Sequence, residues 1–177
     1  MKIWIFGDSF AASNKHGSWV RSLGITHEVI NHATNGASEH RIWKTYRTHA
    51  IKIKPEDRVI FCHTSPSRVY LKDSKSSLSR MLRSHPVCDL IFSDVFAKAE
   101  QQFMNILQTI WDDEYFDDTF NLIVRDLQSV PNSIHITFFD SNIKNYYDVW
   151  MEHPGNINHL SAQGNVIVYT DIVNNLI

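Results

Sequence analysis

The sequence predicts an α/β protein, a mostly parallel sheet covered by helices, and three observations carry that prediction. The unbroken apolar runs Ile3-Trp4-Ile5-Phe6 and Val59-Ile60-Phe61-Cys62 have the composition of strands buried on both faces. Between them lie two stretches with helical spacing and one further short apolar run, so the start of the chain reads β-α-β-α-β. A later run, Ile134-His135-Ile136-Thr137-Phe138-Phe139, adds a strand of the same kind.

Taken in order, residues 2–6 form the first strand. Trp19, Val20 and Leu23 share one face of a helix over 16–23, with Gly24 placed to stop it. Residues 26–31, through Val29 and Ile30, make the second strand. A helix over 38–51 lines up Ile42, Trp43, Tyr46 and Ala50, and Ser38 suits its N-cap. The turn Pro55-Glu56-Asp57 leads into a strand over 58–63. Residues 65–94, rich in Ser, Lys and Arg and holding Pro66 and Pro86, read as a surface excursion with a short helix at 78–82. An amphipathic helix over 94–111 follows, using Phe96, Phe103, Met104, Leu107 and Ile110. The acidic patch Asp112-Asp113-Glu114 and Asp117-Asp118 either interrupts it or starts another helix through Phe120, Ile123, Val124 and Leu127. Pro131-Asn132 turns the chain into the strand over 134–139. Residues 140–158 read as loop with a short fifth strand at 147–150, and a helix over 161–177 closes the chain. No repeat or linker divides these elements, so residues 1–177 are read as one domain, enough to bury about 70% of the unfolded surface.

Composition narrows the function classes. Net charge is −2 with 20% charged residues, which leaves no electrostatic footprint for nucleic acid. No apolar run approaches the ~20 residues a membrane span needs. The first strand is too short for the apolar region of a signal peptide, so a cytoplasmic location is expected. Cys62, inside an apolar run, reads as a buried free thiol, and Cys88 is the only other cysteine. The carboxylates at 112–118 lack the spacing and glycine of a calcium loop, and no histidine pair sits in a His-Glu-x-x-His frame. Neither a metal nor a cofactor is expected.

Chemistry is carried by the two ends of the chain. Gly7-Asp8-Ser9-Phe10 directly follows the first strand, and a strand that breaks at Gly to present a Ser is one way α/β hydrolytic folds expose a nucleophile. Asn156-Ile157-Asn158-His159-Leu160-Ser161, followed by Gly164, opens the last helix and offers a base. In a parallel α/β sheet both places fall at the carboxyl edge of the strands, where sites form.

With these blocks in place, the chain resembles the SGNH, or GDSL-type, hydrolase family. Gly7-Asp8-Ser9-Phe10 matches the block holding the nucleophilic serine. Asn31-His32-Ala33-Thr34-Asn35-Gly36-Ala37-Ser38 resembles the second block, whose glycine donates a backbone N–H to the oxyanion. The stretch from Asn156 to Gly164 is similar to the last, where Asp-x-x-His-Leu-Ser-x-x-Gly is usual. The resemblance implies a three-layer α/β/α sandwich with a flavodoxin-like sheet, and a serine esterase acting on a small acyl ester. Ser9 would be nucleophile, His159 base and Asn156 the residue at the acid position, with Asp8 a structural hydrogen-bonder of the turn. Two departures stand out. The family's Gly-x-Asn-Asp is replaced by His63-Thr64-Ser65-Pro66-Ser67-Arg68, where a hydroxyl of Thr64, Ser65 or Ser67, or the Arg68 guanidinium, could stand in as oxyanion donor. Asn156 replaces the triad Asp, which leaves Asp148, Glu152 or a backbone carbonyl as other orienters of His159. Trp43, Tyr70 and Trp150 near the expected site loops, set against a core-packing role for the same rings, suggest an O-acetyl group on a saccharide as one substrate class. Because relatives with such drift resemble proteins of bacteriophage genomes, a non-catalytic binding or structural module is the alternative reading, with a virion as a compatible location.

Overall fold

Alternation along the strands decides which side chain goes to which face. In β1 (Lys2–Gly7), Ile3 and Ile5 pack into one apolar cluster while Trp4 and Phe6 pack into another on the opposite side. In β3 (Arg58–His63), Ile60 and Cys62 join the first cluster, and Val59 and Phe61 the second. A strand that is apolar at every position therefore feeds two cores. The computed structural model describes residues 1–13, 17–66, 68–70, 90–91, 112–139, 141–155 and 159–175.

Helices cover both faces. On the first lie α1 (Ser9–Ala12), α2 (Trp19–Thr26) and α6 (Ala162–Asn175), contributing Phe10, Ala11, Trp19, Val20, Leu23, Val168 and Ile172. On the second lie α3 (Glu39–His49) and α4 (Asp113–Gln128), contributing Ile42 and Leu127. The main sheet also contains β2 (Glu28–Asn31), β6 (Ser133–Thr137) and β7 (Lys144–Asn145), in the order β2-β1-β3-β6-β7, with every pairing parallel. This is the flavodoxin-like strand order, and the chain changes direction across the sheet between β1 and β3. β4 (Arg68–Val69) and β5 (Leu90–Ile91) form a separate antiparallel ribbon, the described part of the excursion read at 65–94. The helix read over 94–111, the short helix at 78–82 and Cys88 lie outside the described residues.

Local signals account for most element boundaries. Ser38 caps α3 by accepting the Arg41 N–H at 3.3 Å, and Asp112 caps α4 by accepting the Tyr115 N–H at 3.2 Å. The acidic patch thus starts a helix, as an acidic first turn should. Two readings are corrected. Gly24 does not stop α2, which runs on to Thr26 before His27 closes it on the Leu23 carbonyl at 3.0 Å. Residues 147–150 are not the fifth strand. They belong to α5 (Tyr147–Glu152), and β7 just before it takes the sheet edge. Val149 and Trp150 are β-prone, but as neighbours on a helix both reach the first core, which alternation on a strand would forbid.

Gly7 is a close-approach glycine. A Cβ there would lie 2.6 Å from Cys62 Cβ and 2.9 Å from the Cys62 carbonyl oxygen on β3. Gly7→Ala should therefore destabilise the fold by about 1–3 kcal/mol, read by denaturant titration. An unchanged midpoint would mean that β1 and β3 separate freely.

Candidate active site

The loop after β1 is held by a buried carboxylate. Asp8 is fully buried and accepts the Phe10 N–H at 3.0 Å through Oδ1, while its carbonyl accepts from Ala11 and Ala12. This makes Asp8 the cap of α1, as expected, and leaves Ser9 half-buried at the first helical position. Asp8 Oδ2 accepts the Thr64 hydroxyl at 3.2 Å, and Thr64 Oγ1 in turn accepts Arg68 Nε at 3.2 Å. The loops after β1 and β3 are tied by this Asp8–Thr64–Arg68 chain. Burial pushes the Asp8 carboxyl up to about 6, against the lowering effect of Phe10 N–H, Arg68 and Thr64. Burial, then Asp8 and Glu39, also push the Cys62 thiol up, so it stays protonated 4.0 Å from Asp8 Oδ1.

The Asp8 shift has a definite sign. Its folded titration at about 6 lies above the ordinary 3.8, so the native state holds a proton that the unfolded chain has released between these values. Stability from this group is complete below pH 3.8 and falls as pH rises through 6, by about 3 kcal/mol. Asp8→Asn should remove this part of the slope when unfolding free energies at pH 4 and pH 7 are compared with wild type. Equal slopes in the two proteins would show that Asp8 ionises in the fold without penalty.

The second loop is strapped to the first. Thr34 N–H donates to the Gly7 carbonyl at 2.9 Å, His32 N–H to Ile5 O at 2.8 Å, and Asn31 Nδ2 to Ala11 O at 2.9 Å. Gly36 turns this loop at φ 68°, a conformation that L side chains rarely adopt. Ser65 accepts the Arg68 N–H through its carbonyl at 3.2 Å, closing the turn that sets Arg68 at the head of β4.

His159 arrives from the other end of the chain. Pro154 and Leu160 form an antiparallel bridge, Gly155 N–H donates to the His159 carbonyl at 2.5 Å, and Ser161 N–H to His153 O at 2.8 Å. The α6 helix that follows is pinned to α2, where Asn165 Oδ1 accepts the Trp19 N–H at 3.0 Å, and the Trp19 indole N–H donates to Phe10 O at 3.0 Å. His159 is thereby set beside the first loop, its ring centroid 5.5 Å from that of Phe10, the neighbour of Ser9. Asn156 and Ser67 lie outside the described residues. Asp148 and Glu152 are exposed on α5. Among the described residues no group of three His, Cys, Asp or Glu can hold a metal, and no helix is long and apolar enough to cross a membrane.

The fold as a whole is matched in a solved structure. A member of the lipolytic protein G-D-S-L family from Veillonella parvula DSM 2008 aligns over 99% of this chain and 97% of its own, at TM-score 0.52 and 13% identity. The fold is of the G-D-S-L type. Likeness at this identity speaks for the fold alone. No protein-family model and no curated protein matches the chain.

Within this G-D-S-L-type fold, the aromatic residues singled out from the sequence do not gather. Trp43 donates to Asp126 on α4 at 2.6 Å, Tyr70 accepts from Lys44 Nζ at 3.0 Å, and Trp150 packs edge-on against Phe10. Two clefts open on the β3–β6 side. One, of about 430 Å³, is bordered by Thr64, Pro66, Phe120, Thr137 and Phe139; the other, of about 200 Å³, by Glu39, Arg68, Tyr70, Phe116 and Phe120. Ser9 and His159 border neither. Sequence reading missed a connected polar group, buried Glu39 and His63 with half-buried His135.

Proposed function

We propose that the protein is a serine ester hydrolase of SGNH type that cleaves a small acyl ester, with Ser9 as nucleophile and His159 as general base. One observation carries this reading: the Ser9 turn, the Gly36 turn, the Thr64–Arg68 turn and the His159 segment converge at the carboxyl edge of β1 and β3, where the strand order reverses. In the proposed reaction His159 takes the Ser9 proton as Oγ attacks the ester carbonyl. The oxyanion is held by the N–H groups of Ser9 and Gly36 and one donor from Ser65 or Arg68. His159 then protonates the leaving alcohol, and water repeats the sequence on the acyl-enzyme. In the acid position of the family pattern, an amide such as that of Asn156 can fix the His159 tautomer but supplies no charge. An O-acetyl group on a saccharide is the substrate class to try first.

A fluorophosphonate probe should label wild type and not Ser9→Ala. Because the serine-protease triad loses ~10⁴-fold in turnover on the Asp→Asn change, Asn156→Asp should raise turnover on p-nitrophenyl acetate by at least about tenfold. No gain would put the orienter elsewhere.

A second reading, a binding module without turnover, is favoured by the packing of Phe10. Its ring stacks on Phe138 at 4.3 Å and meets Phe139, Trp150 and His159 at 6.0, 5.4 and 5.5 Å, so aromatic side chains fill the space beside the base. Absence of labelling in folded wild type would decide for it.

A further inference from the structure

Glu39 opens α3 with its carboxylate buried, 2.7 Å from His63 Nδ1 through Oε1 and accepting the Thr64 N–H at 3.2 Å through Oε2. His63 Nε2 lies 2.8 Å from His135 Nδ1, and His135 Nε2 lies 2.8 Å from Ser133 Oγ. Ser133 Oγ also lies 2.7 Å from the Val130 carbonyl oxygen. The two imidazoles are nearly parallel, at 15°. One continuous chain therefore runs along the sheet from its carboxyl edge to the start of β6.

Donor and acceptor rules fix how many protons this chain holds. A carbonyl can only accept, so the Ser133 O–H points at Val130, and Ser133 Oγ must accept from His135 Nε2. A neutral His135 protonated at Nε2 has a bare Nδ1, which must accept from His63 Nε2–H. A neutral His63 then has a bare Nδ1 facing a bare carboxylate oxygen at 2.7 Å, two acceptors in contact. One further proton completes the chain, whether it sits on His63, on Glu39 or on His135.

We propose that Glu39, His63 and His135 share one proton, and that through it Glu39 acts as a positioning residue for the Thr64 loop. Glu39 and His63 form the fully buried end of the chain, while burial and then His63 hold His135 down to about 4. The ionisable groups facing that end are Asp8 after β1, Cys62 on β3, Arg68 on β4, His40 on α3 and Tyr115 on α4 across the smaller cleft. Loss of the proton sets Glu39 against His63. The carboxylate that turns away also abandons Thr64, the link between Arg68 and Asp8. The proton count and the hold on Thr64 stand apart from Ser9 chemistry.

Long-range ¹H–¹⁵N spectra of the histidine rings of wild type at pH 7 test the count. His135 protonated at Nε2 is the expected result. A bare His135 Nε2, with Nδ1 carrying the proton, overturns it. Amide exchange at Thr64 tests the positioning role without using turnover. Glu39→Gln supplies an N–H in place of the shared proton and keeps an oxygen for Thr64, so it should retain Thr64 protection within about threefold of wild type, whereas Glu39→Ala should lose at least about tenfold. Equal losses in the two variants would overturn the positioning role. Should Glu39→Ala fail to fold, the wild-type spectrum and Glu39→Gln still decide.

Discussion

Ser9→Ala is expected to lower ester turnover by about 10²–10⁴-fold with the thermal midpoint unchanged, less than in an intact triad because Asn156 already stands at the acid position. The fold tolerates the change because the side chain that caps α1 is Asp8, while Ser9 occupies the first helical position, where Ala is an equally good helix former. His159→Ala should lose as much, and the double variant should lose no more than either single one. Attack and proton transfer are a single event, so removing either partner removes both. Turnover in Ser9→Ala above about a hundredth of wild type would mean another nucleophile. Additive losses would mean that Ser9 and His159 act in separate steps.

Trp19→Ala carries the largest expected effect on stability, about 3–5 kcal/mol by denaturant titration. The indole is fully buried, and its N–H holds the Phe10 carbonyl at 3.0 Å. Its backbone N–H is held by Asn165 at 3.0 Å. Trp19 thus joins the turn bearing Ser9 to the helix that follows His159, and removing it leaves a cavity and an unpaired carbonyl. Trp19→Phe separates the two contributions, since it keeps most of the volume and loses the indole bond, at a cost of about 1–2 kcal/mol. A loss below 1 kcal/mol in Trp19→Ala would show that α2 and α6 pack independently.

The sheet was legible because its strands are buried on both faces, and an unbroken run such as Val59 to Cys62 admits few other readings. Ser38 as a cap was legible because capping is local, set by a side chain and an N–H three residues on. The excess at Gly24 and the misread α5 have a common cause. A glycine weakens a helix by only ~1 kcal/mol, and six residues such as Tyr147–Glu152 are too few for periodicity to distinguish a helix from a strand. The order of the blocks also put Ser9 after the first strand and Gly36 after the second, as they lie in the chain's elements. The Glu39–His63–His135 chain was beyond such reading, because each residue taken alone looks like an ordinary polar side chain. Glu39 and His63 are 24 positions apart and His63 and His135 are 72, and only the packing of α3 on the sheet and the pairing of β3 with β6 bring them together.

The clasp between Trp19 and Asn165 also bears on how the chain is made. These residues are 146 positions apart, so the clasp closes one of the longest loops available to the protein. At ~5–20 residues per second, a ribosome releases Trp19 on the order of ten seconds before Asn165. For that interval the apolar side of α2, with Val20 and Leu23, has no α6 to lie against. The nascent chain is then most exposed to self-association, and the region around Ser9 is completed only after the last helix has emerged.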